Sequence, residues 1–245
     1  MLISHCKISH DTLMSSRIED INSFVEGQVE KGFSGSVLIS KDDTILLHKG
    51  YGVSNRELGT ANQSNTLFEI ASITKLYTVV SILQLKDNGQ LSLEDKLGDY
   101  LGEFDPPKDQ ATINHPILHT AGLVPRGHEL DYSSREKFVE SVKNTHPESI
   151  PGEKYRYTNA GYTMLAAIIE VVSGLSYEDY LVRHIFVPLN LSNPTYWNRG
   201  TFENTAIGYR GNSMDSLRAY STHEWEWGDN GASGILTNVG DLHKF

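Results

Sequence analysis

Residues 72 to 88, SITKLYTVVSILQLKDN, constrain this chain more than any other stretch. Leu76, Val79, Val80 and Leu83 recur at i, i+3, i+4 and i+7, and Asn88-Gly89 supplies a C-terminal stop. Ile73, Ile82 and Leu85 widen the apolar stripe until it covers most of the circumference. A helix of that kind is buried between other elements, so the pattern predicts the central helix of its domain, with a first turn that faces an interior cleft.

That first turn carries Ser72 and, three residues on, Lys75. A serine hydroxyl is a poor nucleophile at neutral pH and needs a base within hydrogen-bond reach; residues three apart on a helix share a face. A lysine desolvated in a cleft gives up its proton more readily than one in water, so this spacing offers a nucleophile and its base. Ser72 also opens the helix, where unpaired backbone N–H groups and the local dipole favour a developing oxyanion. Ser-x-x-Lys alone arises by chance about once in a chain of this length. Ser134-Arg135-Glu136-Lys137 matches it too, but in a polar segment that reads as an exposed helix start.

The flanking sequence suggests what encloses this helix. Ile18, Ile21, Phe24, Val25 and Val29 define an amphipathic helix over 18–29. GSVLIS, a turn at Lys41-Asp42-Asp43, and TILLHKGYG read as an antiparallel hairpin. Ser92 with Asp95, and Ser176 with Asp179, look like capped helix starts, and between them Leu165, Ile168, Ile169 and Val172 mark a further helix closed by Ser173-Gly174. Residues 193–234 show no clear period and read as long loops. The expected organisation is a helix and hairpin over 1–60, a mainly helical domain over 61–200, and a loop region returning toward the first domain over 201–245.

Composition narrows the function classes. With 31 acidic and 21 basic residues the formal charge is -10, and scattered Lys and Arg would repel nucleic acid rather than gather it. Cys6 is the only cysteine, which excludes an internal disulfide and a thiolate-built zinc site. The start, MLISHCKISHDTLMSS, lacks the apolar stretch of a signal peptide, and no later run is long enough to span a bilayer, so the expectation is a cytoplasmic chain with no membrane partner, unless a leader has been removed.

Tyr157-Thr158-Asn159 lies in a loop after Pro151-Gly152 and leads into the apolar helix near Ala160. A phenol beside a lysine ammonium has its pKa pulled down, so Tyr157 can shuttle protons, and Asn159 offers an amide to Lys75 and to substrate. Tyr196-Trp197-Asn198 repeats the pattern in the irregular region. Of the ten histidines, His115 and His119 stand at i, i+4 without an intervening Glu, and His128-Glu129 and His223-Glu224 lack a second His at ligand spacing, so no metal site is expected. No Gly-x-Ser-x-Gly occurs, which argues against an α/β-hydrolase.

FEIASITKLYTVVSILQLKDNGQLSLEDKLGDYL closely resembles the nucleophile segment of the serine β-lactamase-like and penicillin-binding-protein superfamily, which carries Ser-x-x-Lys as its first motif. PGEKYRYTNAGYTMLAAIIEVVSGLSYEDYL resembles that family's second motif in the Tyr-x-Asn form of class C β-lactamases, D-alanyl-D-alanine carboxypeptidases, D-aminopeptidases and related carboxylesterases. ILHTAGL at 117–123 and GASGILTNVGDLHKF at 231–245 extend the similarity from about Gly35 to the end.

The resemblance implies an α+β, β-lactamase/transpeptidase-like fold, an antiparallel sheet flanked by helices plus a mainly helical domain. It implies Ser72 as acylated nucleophile, Lys75 as its base, Tyr157 as proton relay and Asn159 as the hydrogen-bonding amide, with no cofactor. The expected substrate is a small ester or amide, with carboxylesterase placed first; the alternatives are a β-lactamase, a D-alanyl-D-alanine carboxypeptidase or D-aminopeptidase, and a non-catalytic ligand- or partner-binding relative. The family's third motif, Lys or His, one residue, then Gly, follows the second motif and its strand provides an oxyanion donor. Here the only match is His48-Lys49-Gly50, upstream of Ser72 and read as a strand end. From this, and from a helix that starts after Thr237 as its cap and runs to Phe245, the expectation is a chain lacking the C-terminal strands of the sheet. Its hairpin would then have an unpaired edge, open to self-association or to a complementing C-terminal segment.

Overall fold

The first hairpin closes on Asp42 and Asp43, whose φ angles of 48° and 62° are both left-handed, the geometry of a two-residue turn that matches strand twist. Aspartate tolerates that region better than most residues, so the acidic pair fixes the register from Lys41↔Thr44 to Gly35↔Tyr51, with one irregularity beside Ile39 and Ser40. These features belong to a computed structural model that describes residues 10–192, 194–196, 204–211, 216–219 and 225–245.

In chain order the elements begin with α1 (His10–Val29), β1 (Gly35–Lys41), β2 (Thr44–Tyr51), β3 (Val53–Asn55), β4 (Thr60–Ala61) and β5 (Phe68–Glu69). There follow α2 (Thr74–Asp87), α3 (Leu97–Leu101), α4 (Asn114–Ile117), α5 (Arg135–Lys143), α6 (Asn159–Ser173) and α7 (Tyr177–Leu181). The last are β6 (Thr195–Tyr196), β7 (Tyr209–Arg210), β8 (Arg218–Ala219), β9 (Ile235–Thr237) and α8 (Val239–Lys244). The chain divides into two compact units: Met1–Phe68 with Phe202–Ser221 and Thr237–Phe245, and Glu69–Thr201 with Thr222–Leu236.

In the first unit α1 packs on β2 and α8 on β1. Lys49 on β2 reaches Glu26 at 2.8 Å and Asn22 at 3.0 Å on α1, and the Tyr51 hydroxyl donates to Asn22 at 2.9 Å. β3 pairs with β4 and β7 with β8. His48-Lys49-Gly50 lies within β2, with His48 Nε2 3.0 Å from the Ser64 carbonyl oxygen. The helix after Thr237 is capped one residue later than expected: Thr237 ends β9, and the Asn238 side chain accepts the Asp241 N–H at 2.9 Å.

The second unit is built around α6, not α2. Met164, Leu165, Ala166, Ala167, Ile168 and Ile169 on α6 are wholly buried, and α2, α3, α4, α5 and α7 all pack against it. Each large aliphatic side chain there contributes about 1.5–3 kcal/mol. The expectation that α2 is the central helix is therefore corrected, and so is the face it buries. α2 turns inward Thr74, Lys75, Tyr77, Thr78, Ser81, Ile82 and Leu85. Ile73, Leu76 and Leu83, from the apolar stripe, remain 43%, 57% and 39% exposed. Two of the inward hydroxyls find carbonyls: Ser81 Oγ donates to Tyr77 O at 2.8 Å and Thr78 Oγ1 to Gly231 O at 2.7 Å.

Other boundaries also move. Ser92 does not open a helix; its N–H donates to Asp95 at 2.7 Å in a turn, and α3 begins later, where the Lys96 N–H donates to Asp99 Oδ2 at 2.9 Å. Ser176 does cap α7, accepting the Asp179 N–H at 3.1 Å, and Gly174 closes α6 at φ 71°. Ser134 caps α5 by accepting the Lys137 N–H at 3.2 Å, so the second Ser-x-x-Lys is a helix start. The region expected to be long loops contains the short strands β6 to β8, β6 pairing with β9 through Thr195↔Leu236 and Tyr196↔Ile235; residues 193, 197–203, 212–215 and 220–224 lie outside the described residues.

Lys108 is buried at the C-terminal end of α5. Its Nζ donates to the carbonyl oxygens of Val142 at 2.9 Å, Lys143 at 2.6 Å and Thr145 at 2.7 Å, placing a cation at the negative end of the helix. Burial holds its pKa below the usual lysine value, against the opposing pull of the Asp105 charge. Replacing it with methionine removes this shared donor; the Val142 carbonyl keeps the Thr145 hydroxyl and N–H. Lys108→Met should lower the unfolding free energy by about 2–4 kcal/mol. Urea denaturation measures this, and a midpoint unchanged from wild type would contradict the capping role.

Candidate active site

The turn that presents Ser72 is strained. Ala71 has φ 45°, a left-handed conformation that costs a residue with a Cβ about 1–2 kcal/mol, and it opens a 3-10 turn, Ala71–Ile73, ahead of α2. Ser72 thus sits in that turn rather than in α2 itself, with its side chain open to solvent. Such strain concentrates where a side chain must be held in one direction.

Lys75, in the first turn of α2, is only 5% exposed. Its Nζ donates to Ser72 Oγ at 3.2 Å, Asn159 Oδ1 at 2.8 Å and Ala232 O at 3.0 Å. Three acceptors match the three protons of an ammonium, so the cation is fully satisfied although buried. Tyr157, 50% exposed, donates its hydroxyl to Ser72 Oγ at 2.7 Å. Of the four residues singled out from the sequence, Lys75 and Tyr157 therefore meet on the Ser72 oxygen and Asn159 joins them through Lys75, and all lie in the second unit.

Electrostatics around the phenol are dominated by Lys75. Its Nζ lies 5.0 Å from the centre of the Tyr157 ring and 5.4 Å from that of Tyr162. Burial pushes the Tyr157 phenol up, but the neighbouring ammonium and the hydrogen bond with Ser72 together outweigh it, leaving the phenol below the ordinary tyrosine value. The arrangement can hold a phenolate against a cation with a serine hydroxyl between them.

Sequence reasoning did not assign the groups that support this cluster. The Ala232 carbonyl is one, and its placement depends on Gly231, at φ 78°, where a Cβ would stand 2.2 Å from the Tyr162 carbonyl oxygen. The Gly231 carbonyl accepts from Thr78, whose hydroxyl is also 2.7 Å from that of Tyr177. His119 is another: its ring lies 4.4 Å from that of Tyr157. These groups lie within ILHTAGL and GASGILTNVGDLHKF, and nothing in the spacing of either run identifies a backbone carbonyl or a stacked imidazole.

A cleft of about 310 Å³ opens beside Tyr157, Thr158, Asn159 and Ala160, with Arg126 and Tyr132 also in its lining. Arg156, a further lining residue, pairs with Glu148. Tyr196, from the second Tyr-x-Asn, is a core residue set edge-on to Tyr177 at 6.0 Å; its companions Trp197 and Asn198 lie outside the described residues, as do Cys6 and the His223-Glu224 pair. His115 is engaged through Nδ1 by the Thr112 N–H at 3.0 Å. Among the described residues no three His, Cys, Asp or Glu side chains gather where they could hold a metal ion.

Residues 21–245 match the family model described as Beta-lactamase. A penicillin-binding protein of Bacillus subtilis (strain 168) is 32% identical over 178 residues, 68% of this chain and 39% of that protein. A teichoic acid D-alanine hydrolase of Staphylococcus aureus is 30% identical over 182 residues, 74% of this chain and 46% of the relative. The octameric penicillin-binding protein homologue from Pyrococcus abyssi superposes with a TM-score of 0.79 at 27% identity, covering 94% of this chain and 55% of that one. The chain thus spans about half the length, or less, of the curated relatives it matches.

The phenol provides a direct optical check. In an alkaline titration followed by tyrosinate absorbance, one tyrosine should ionise below the ordinary value of about 10, and Tyr157→Phe should remove that early step. Lys75→Met, which leaves burial opposed only by the Ser72 hydrogen bond, should move the step upward. An early step that persists in Tyr157→Phe would show that another tyrosine carries it.

Proposed function

The chain belongs to the β-lactamase family, and we propose that within it the protein is a serine hydrolase working through an acyl-enzyme on Ser72, with carboxylic esters as its first substrates. The observation that carries this reading is the convergence of Tyr157 Oη at 2.7 Å and Lys75 Nζ at 3.2 Å on Ser72 Oγ. Because the Lys75 ammonium is occupied by three acceptors, Tyr157 as phenolate is the group placed to take the serine proton, with Lys75 stabilising its charge. This shifts the base role expected for Lys75 onto the phenol.

The reaction follows from those positions. Ser72 Oγ attacks the ester carbonyl carbon as its proton passes to Tyr157, and the resulting oxyanion is met by the Ser72 backbone N–H at the head of its strained turn. The intermediate collapses by breaking the bond to the alcohol oxygen, which leaves with the proton from Tyr157. Water then attacks the acyl-enzyme, gives one proton to Tyr157, and releases the acid as that proton returns to Ser72. Asn159 holds Lys75 through its Oδ1 and keeps its amide NH₂ for substrate.

Esters come first because an alcohol oxygen can leave as it takes the Tyr157 proton, whereas an amide nitrogen, the poorer leaving group, must take that proton before the C–N bond can break. The half-exposed Tyr157 and the adjoining cleft give access to a small acyl group. The relative described as a teichoic acid D-alanine hydrolase adds D-alanyl compounds to the substrates worth assaying.

The assignment is tested by covalent labelling with a fluorophosphonate and by hydrolysis of short-chain esters, a D-amino-acid amide and a chromogenic cephalosporin. Ser72→Ala should abolish labelling and Ser134→Ala should leave it intact; a label carried on any other residue sinks the nucleophile. Tyr157→Phe should cost about a hundredfold or more in turnover, and Tyr196→Phe, buried away from Ser72, should cost little. Equal losses in the two tyrosine variants would remove the phenol from the mechanism, and faster turnover of the cephalosporin or the amide than of every ester would overturn the substrate order.

A further inference from the structure

We propose that His119 is the positioning residue for Tyr157, holding the phenol on Ser72 through a ring contact and two flanking backbone bonds without itself exchanging a proton with substrate. This rests on the reading of Tyr157 as the proton carrier, and it is carried by contacts that bracket that tyrosine. The His119 carbonyl accepts the Arg156 N–H at 2.6 Å, one residue before Tyr157. Its Nδ1 accepts the Thr158 N–H at 3.3 Å, one residue after. Its ring lies against the Tyr157 ring, with centroids 4.4 Å apart and planes inclined at 32°.

The imidazole is itself fixed. Tyr162 stands 5.0 Å away at 40°, and the Tyr162 hydroxyl donates to Ile117 O at 3.0 Å, tying that ring to the end of α4. Tyr155 closes the stack edge-on at 6.0 Å. His119 has φ 57°, so it occupies the left-handed region despite carrying a Cβ, a conformation that persists only where surrounding contacts over-determine it. Burial, aided by the Lys75 charge, holds the ring below the ordinary histidine pKa, which keeps Nδ1 an acceptor for Thr158. That bond places the ring proton on Nε2.

Half of the Tyr157 side chain is exposed, so the tyrosine is not held by burial alone. Its hydroxyl must stay within hydrogen-bond reach of Ser72, and the stacked imidazole with its two flanking backbone bonds supplies the constraint. A residue acting only on general stability would lower every rate through loss of folded protein. A residue acting through Tyr157 has an effect that vanishes once the phenol hydroxyl is gone.

The test is a double-mutant cycle on the full chain, reading the second-order rate of Ser72 labelling by a fluorophosphonate, with the folded fraction measured by circular dichroism. His119→Ala should slow labelling about a hundredfold, the size of a misplaced catalytic group. His119→Phe, which keeps a ring but loses the acceptor, should recover part of that loss. Adding His119→Ala to Tyr157→Phe should slow labelling by no more than about twofold beyond Tyr157→Phe alone. If His119→Ala does not fold, His119→Asn takes its place in the cycle, since asparagine tolerates left-handed φ and lacks the ring. Labelling of the ring-less variant at the wild-type rate, or losses that multiply in the double variant, would overturn the proposal. Tyr157→Phe labelling at the wild-type rate would instead sink the proton-carrier reading and this inference with it.

Discussion

The Lys75 ammonium is the interaction on which the cluster around Ser72 depends. It is nearly sealed from water and joins three stretches far apart in sequence: the Ser72 turn, the start of α6 through Asn159, and the Gly231–Ala232 loop. A buried cation without acceptors is among the most unfavourable features a fold can contain, so the three acceptors must arrive together. The same requirement that makes the fold tolerate the charge therefore brings the chemistry into register. Removing Lys75 would release the Asn159 amide and the Gly231–Ala232 loop at once, because each is oriented by the same nitrogen.

A second layer supports the first. Tyr177, Thr78 and the Gly231 carbonyl form a buried chain of hydrogen bonds beside the Ala232 carbonyl that holds Lys75, and Thr163 on α6 donates to Gly228 O at 2.8 Å in the same loop. These bonds explain why the inner face of α2 is lined with hydroxyls. An aliphatic residue at Thr78 would bury as well, yet it would leave the Gly231 carbonyl without its donor and free the neighbouring Ala232 carbonyl to turn away from Lys75.

What the sequence made legible divides along physical lines. Elements set by local rules were readable: the Asp42-Asp43 turn, the Ser134 and Ser176 caps, and the glycine that closes α6. Ser72, Lys75, Tyr157 and Asn159 were also readable, as two short motifs whose specificity came from the length of the surrounding resemblance. The face of α2 was not. Periodicity weighs Leu76 and Leu83 as buried and Thr78 and Ser81 as exposed, and the fold reverses this: the Thr78 hydroxyl meets the Gly231 carbonyl of a loop and the Ser81 hydroxyl turns back to the Tyr77 carbonyl of α2. His119 escaped for a similar reason: its partners are a ring and two amides brought near by a tertiary turn, and a histidine four residues after another first invites a metal reading.

The left-handed backbone at Ala71 has a consequence for how this protein can change. Glycine adopts that conformation without steric penalty, so a population selected only for thermal endurance should drift toward glycine at position 71. The same drift would give the serine turn freedom to sample other directions. Sequence histories shaped by turnover and those shaped by persistence alone would then diverge first at the residue before the serine.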